Sequence, residues 1–301
     1  MVEFFGVLIP IFGVFALGFI GQKVWKFELK PVSTIAIYLM SPFLAFRTFY
    51  QNEITLDYVY LSIYLVVLCA VSIVICYLLA WLNRWDKNTT SGFILASAFM
   101  NNGNYGAPLI LLLFGEEGFH YAVILMVLQQ LIMCTAGIYY AAKGSDQGGQ
   151  SFSPLKEVVK VPIVYGAILG LLLNGLQIGI GDQVMSAVSM VADATIPTVM
   201  IVLGMQLASI SLKQLDYRKL GASLSIKLLL APVIAFAIAF FLPVDDMVKA
   251  IMILTAATPT AANTTIYALQ FQTKPGFVSS ATLLSTLLSI ITIPLLMFLV
   301  L

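Results

Sequence analysis

Ala98-Phe99-Met100-Asn101-Asn102-Gly103-Asn104-Tyr105-Gly106-Ala107-Pro108 interrupts one apolar run of this chain. Thr255-Ala256-Ala257-Thr258-Pro259-Thr260-Ala261-Ala262-Asn263-Thr264-Thr265 interrupts another, at the matching place in the second half. Both runs are otherwise apolar enough to cross a bilayer. Lipid offers no hydrogen bonds to freed backbone groups, so a broken helix at membrane depth survives only inside protein or at a water-filled site. Two such breaks in corresponding positions are the sequence pointer to the binding site of a secondary transporter.

The rest of the chain fits that setting. It is 60% hydrophobic and 10% charged, with mean hydropathy +1.00, where a soluble domain carries about a quarter charged residues. This is the composition of a multi-pass membrane protein partnered by the lipid bilayer. A net charge of +1 gives no basis for a nucleic-acid partner. Cys69, Cys76 and Cys134 all fall in apolar stretches and read as packing residues, and with the single His120 they do not make a metal site. No phosphate loop or dinucleotide glycine motif is present, which argues against ATP-driven transport and against a bound cofactor. The start of the chain has no basic region or cleavage signal, so the first helix is read as retained.

A helix needs about 20 apolar residues to cross the hydrocarbon. Ten candidates follow: roughly 4–22, 31–50, 58–82, 91–114, 119–142, 161–180, 183–208, 217–242, 248–271 and 277–301. The links after spans 1, 3, 5, 7 and 9 hold twelve Lys and Arg residues, whereas the opposite side holds only Lys249. The positive-inside rule makes the odd links cytoplasmic and both termini external, in the plasma membrane. The link 143–160 is rich in Gly, Ser and Gln and reads as a cytoplasmic tether between two five-span units, 1–142 and 161–301.

Five spans per unit force the second unit to enter the membrane from the other side. A shift of 155 residues lays Pro42 on Pro197, Asn104–Pro108 on Pro259–Asn263, and Gln130 on Ser285. The expected fold is therefore an all-α membrane protein: ten transmembrane helices in two inverted five-helix repeats, with broken helices 4 and 9 crossing. Pro108 and Pro259 each remove a backbone donor near mid-span. Thr258-Pro259 has the order of an N-cap and first helical residue. The second half-helices would aim their positive amino ends at the midplane and the first halves their carbonyl ends. Asn101, Asn102, Asn104, Pro108, Gln130, Pro259, Thr260 and Asn263 are the expected site, able to hold a carboxylate at the amino ends.

These residues resemble the auxin efflux carrier family. Its first broken helix reads like Asn-x-Gly-x-x-Gly-x-Pro, matched by Asn101 to Pro108, and its second like Pro-x-Ala-x-Asn, matched by Pro259 to Asn263. The resemblance covers essentially the whole chain and looks like the bacterial members. It implies a fold related to bile acid/sodium symporters, with spans 3–5 and 8–10 as a mobile transport unit against a scaffold of spans 1, 2, 6 and 7. It also implies a small organic anion such as malate or malonate. The short central loop departs from the plant hormone carriers, so auxin does not follow.

Three charges sit within spans. Arg47 is expected to snorkel outward. Asp193 and Lys227 are the candidates for ion coupling, to H+ or Na+, through an Asp193–Lys227 pair that locks one state. Rival readings are a sodium/proton antiporter, which predicts an acid beside the breaks, and an intramembrane aspartyl protease, suggested by Gly179-Ile180-Gly181-Asp182. The protease lacks its second carboxylate motif, and Asp182 lies in an outer link. The sequence is expected to encode a secondary transporter and not an enzyme, working by alternating access, either alone or as a homodimer.

Overall fold

A computed structural model describes residues 2–145, 159–210 and 216–301. Most of the tether read at 143–160, including Lys156, lies outside the described residues, as does Lys213. The chain order is α1 Val2–Trp25, α2 Leu29–Gln51, α3 Asp57–Leu82, α4 Lys87–Ser97, α5 Asn102–Gly144, α6 Pro162–Gly175, α7 Asp182–Ser209, α8 Tyr217–Phe240, α9 Asp246–Ala256, α10 Ala262–Phe271 and α11 Pro275–Val300. Among the described residues, seven helices are long and apolar enough to cross a membrane. Span 6 is present as the shorter α6, and span 9 is divided between α9 and α10.

Span 4 is divided too, between α4 and the first part of α5. The chain then reverses at Gly115, whose φ of 61° and ψ of −157° suit only glycine. The Asn88 amide donates to the Gly144 carbonyl at 2.7 Å, so the start of α4 and the end of α5 lie at one level. A widened π-type turn occupies Met133–Gly137, with no proline close behind it, and three others occupy Ile35–Met40, Asn102–Gly106 and Ile226–Leu230. Each of these three comes just before a proline, at Pro42, Pro108 and Pro232. A proline ring pushes away the carbonyl four residues back, and the extra residue in the turn absorbs that displacement.

Two helix pairs pack backbone to backbone. A side-chain carbon at Gly204 of α7 would lie 2.0 Å from the Phe15 carbonyl oxygen of α1. One at Gly166 of α6 would lie 2.1 Å from the Pro42 carbonyl oxygen of α2. Only glycine permits such contact, which maximises dispersion between helices where lipid supplies no hydrophobic drive. The pairs α1–α7 and α2–α6 therefore form tight units. Along α11, Ser280, Thr282, Ser285, Thr286 and Ser289 are all buried. Most of their hydroxyls return to carbonyls three or four residues earlier, so the face is polar without being unsatisfied. This face packs toward the helix breaks.

Candidate functional site

The two interruptions meet. Met100 and Thr260 form an isolated antiparallel bridge. The Asn101 N–H donates to the Pro259 carbonyl at 3.0 Å, and the Ala261 N–H donates to the Phe99 carbonyl at 3.1 Å. The bonds are reciprocal: each break supplies the partner that the other lost. This is how open backbone is tolerated at such depth. The bridged residues Met100 and Thr260 are 160 apart, flanked by the Asn101–Pro259 and Ala261–Phe99 bonds, so the two breaks face each other five residues off the sequence shift of 155.

The second break corrects one local expectation. Thr258-Pro259 does not start the new half-helix, which begins at Ala262 with Ala261 in an extended conformation. Residues 258–261 are drawn out to reach the first break, so helical turns cannot form there. The Thr258 hydroxyl instead donates to the Thr255 carbonyl at 2.7 Å, closing the end of α9. Thr260 is fully buried: its N–H donates to Ser285 Oγ at 3.1 Å and its hydroxyl to the Ala96 carbonyl at 2.6 Å.

At the first break the Asn101 side-chain oxygen accepts from the Asn104 N–H at 3.3 Å, while its own carbonyl accepts from the Gly106 N–H at 2.9 Å. Asn101 thus caps the widened turn that opens α5. Gly106 packs close to Thr258: an added side-chain carbon would lie 3.5 Å from the Thr258 methyl, an ordinary van der Waals contact. The amino ends of α5 and α10 line one side of a cavity of about 50 Å³.

That cavity brings together Asn101, Asn102, Asn104, Gln130 and Asn263, with Gln129 and Met126 on α5 completing the wall. Asn263 Nδ2 lies 3.4 Å from Gln130 Oε1. Pro108, Pro259 and Thr260 do not line it. Pro108 is buried at the start of the regular turns of α5, and Pro259 and Thr260 hold the backbone junction. The buried amide nitrogens of Asn101, Asn102 and Gln129 have no hydrogen-bond partner, and neither has the Gln129 oxygen. Buried polar groups are normally satisfied, since each orphan costs about 1–3 kcal/mol. Three orphan donors around one cavity beside two helix amino ends form a site suited to an acceptor-rich anion. The sequence favours Gln130 over its neighbour Gln129 because the 155-residue shift lays Gln130 on polar Ser285. Both are polar and mid-helix, and nothing in the string says which of two neighbours faces inward.

Gln130 also lines a wider cleft of about 540 Å³ that extends to Lys30 and Lys160 on the cation-rich side. The small cavity is therefore adjacent to a route carrying positive charge. A separate cavity of about 370 Å³ holds Arg47, Glu116 and His120 and shares no residue with the small one.

The intramembrane charges are paired differently from the expectation. Asp193 does not meet Lys227. Arg47 Nη1 donates to Asp193 Oδ1 at 2.5 Å, so Arg47 is the ion-pair partner of Asp193. The pairing reflects the packing of α2 beside α7. Lys227 is 1% exposed, and its Nζ donates to the Ala256 carbonyl at 2.8 Å. An ammonium there sits at the negative end of α9, where the helix dipole favours a cation. Among the described residues no cluster of His, Cys, Asp and Glu could hold a metal ion, and Cys69, Cys76 and Cys134 are buried without forming a disulfide.

A family model described as "membrane transport protein" matches residues 4–153 and 150–297. An "uncharacterized transporter" of Methanothermobacter thermautotrophicus is 26% identical over 93% of this chain and 90% of its own length. A similarly named transporter of Methanocaldococcus jannaschii is 24% identical over 88% of each chain. A "Putative malonate transporter" of Rhizobium meliloti is 24% identical over 100% of this chain and 97% of its own.

Proposed function

The chain belongs to the membrane transport protein family, of auxin efflux carrier type, and from that premise we propose that it moves a small organic anion by alternating access. It is a multi-pass membrane transporter and not an enzyme. The observation that carries the finer reading is the set of orphan amide donors from Asn101, Asn102 and Gln129 around one cavity. A carboxylate accepts several hydrogen bonds at once and gains from both helix amino ends. The relative named for malonate supports a carboxylate as cargo.

In this reading the ten spans form two inverted repeats whose broken members cross. The reciprocal bonds between Phe99–Asn101 and Pro259–Ala261 support that symmetry. The glycine-packed pairs α1–α7 and α2–α6 support a rigid scaffold of spans 1, 2, 6 and 7. The transport unit of spans 3–5 and 8–10 then carries the cargo past it in an elevator-like step. The cleft from Lys30 and Lys160 to Gln130 supports entry from the cytoplasmic side, where cations raise the local concentration of an anion. The external termini rest on the distribution of Lys and Arg, and the plasma membrane is the proposed location. Lys227 is the coupling candidate linked to the break, through Ala256. A homodimer is tested by the mass of the detergent-solubilised particle.

The test is uptake of radiolabelled dicarboxylates into proteoliposomes under imposed H+ or Na+ gradients. Saturable flux is expected. Asn104→Ala and Asn263→Ala should cut it with little loss of folded protein. Absence of saturable flux for every carboxylate, or normal flux in both variants, overturns the assignment of cargo and site.

A further inference from the structure

A cavity of about 740 Å³ lies at the end of α3, lined by Tyr77, Trp81, Arg84, Trp85, Lys87 and Lys143 among others. Three of these residues are cationic, and among the described residues no carboxylate lines it. The neighbouring Asp86 is engaged elsewhere, accepting from the Thr89 N–H at 2.7 Å and lying 3.1 Å from the Thr89 hydroxyl. Lys143 is held in place by aromatic residues. Its Nζ donates to the Tyr77 hydroxyl at 2.8 Å and stands 5.2, 5.7 and 6.0 Å from the ring centres of Tyr77, Tyr139 and Tyr140. Neutral hydroxyls and ring faces hold the ammonium without cancelling its charge.

An apolar track leads away from these cations. Ile63, Val67, Val74, Leu78 and Trp81 are all exposed, at spacings that place them along one face of α3. From residue 63 to 81 that face runs about 27 Å at about 1.5 Å per residue, close to the hydrocarbon thickness of about 30 Å. Trp81 is 74% exposed at the junction of track and cavity. Indoles favour that boundary, having an apolar body and one polar N–H.

We infer that this cavity binds the headgroup of an anionic phospholipid. Arg84, Lys87 and Lys143 hold the phosphodiester, Trp81 and Trp85 sit at headgroup level, and an acyl chain lies along the α3 track. Arg84 supplies forked donors matched to phosphate oxygens. Basic pockets between spanning helices on the cation-rich side suit such headgroups. Free phosphate shares the headgroup chemistry but draws nothing from the track, which is why the lipid is the assigned source. The inference is independent of the cargo site, since no residue is shared between the two cavities.

The test uses the purified full chain in detergent. Native mass spectrometry reads retention of phosphatidylglycerol against phosphatidylcholine, and thermal unfolding is followed with each lipid and with inorganic phosphate. Phosphatidylglycerol should be retained and should raise the unfolding temperature, while phosphatidylcholine and phosphate should do neither. The double variant Arg84→Gln/Lys143→Gln should weaken phosphatidylglycerol retention roughly 30-fold, about 2 kcal/mol at about 1.4 kcal/mol per tenfold. Lys249→Gln, on the opposite side, should leave it unchanged. If the double variant does not fold, the exposed Arg84→Gln alone should show roughly a 5-fold loss. Equal retention of both lipids, or undiminished retention in the variants, overturns the proposal. A thermal shift reproduced by phosphate alone reassigns the cavity to a free anion and overturns the lipid assignment.

Discussion

Replacing Gln129 with leucine should raise stability and lower transport together. Gln129 is 5% exposed, and neither its amide nitrogen nor its oxygen has a hydrogen-bond partner. Leucine has a comparable volume and removes both orphans. Each buried unsatisfied group costs about 1–3 kcal/mol. A cavity of about 50 Å³ has room for a water molecule, which would take up part of that penalty. The expected gain is therefore about 1–3 kcal/mol for the pair of atoms, not twice that. Cargo affinity should move the other way. Hydrogen bonds to a charged group are worth about 1.5–3 kcal/mol, so loss of one weakens binding roughly 10- to 100-fold at about 1.4 kcal/mol per tenfold. Thermal unfolding in detergent reads the first effect and saturation uptake in proteoliposomes the second. A residue that merely packs the core would give the reverse pattern. A Gln129→Leu protein that unfolds more readily and transports with unchanged affinity would refute the site.

Three further outcomes are expected. Gly204→Ala and Gly166→Ala each drive a methyl group into a backbone carbonyl of the facing helix, and overpacking of this kind should destabilise by about 1–3 kcal/mol in detergent unfolding; unchanged unfolding would deny the close approach. Asp193→Asn breaks the pair with Arg47, whose members are 15% and 69% exposed, so stability should fall by only about 0–1 kcal/mol and the pH profile of uptake should match the parent; a lost pH dependence would return Asp193 to a coupling role. The Thr89 N–H holds the Asp86 carboxyl below its ordinary value of 3.8. A lowered folded-state value means that this cap stabilises fully above the unfolded value and fades as pH falls through the folded one; Asp86→Asn should remove that acid-side component, read as unfolding temperature against pH.

The sequence carried the helices well because membrane spans are written in composition. Span 3, read at 58–82, is Asp57–Leu82, and span 10, read at 277–301, is Pro275–Val300. Hydrocarbon thickness fixes the length of such a run, and no alternative conformation satisfies its backbone. The breaks were legible for the same reason: Asn, Gly, Pro and Thr inside an apolar run contradict a continuous rod. Asn101, Asn102, Asn104, Gln130 and Asn263 do share one cavity.

Pairing was not written there. That Pro259 accepts from Asn101, that Asp193 meets Arg47 and not Lys227, and that Gln129 turns inward beside Gln130 depend on how helices far apart in the chain are rotated and staggered. One-dimensional patterns fix which residues are polar and how long each helix runs. Side-chain partners follow from helix rotation, which close backbone packing at Gly166 and Gly204 sets only once the whole bundle has assembled.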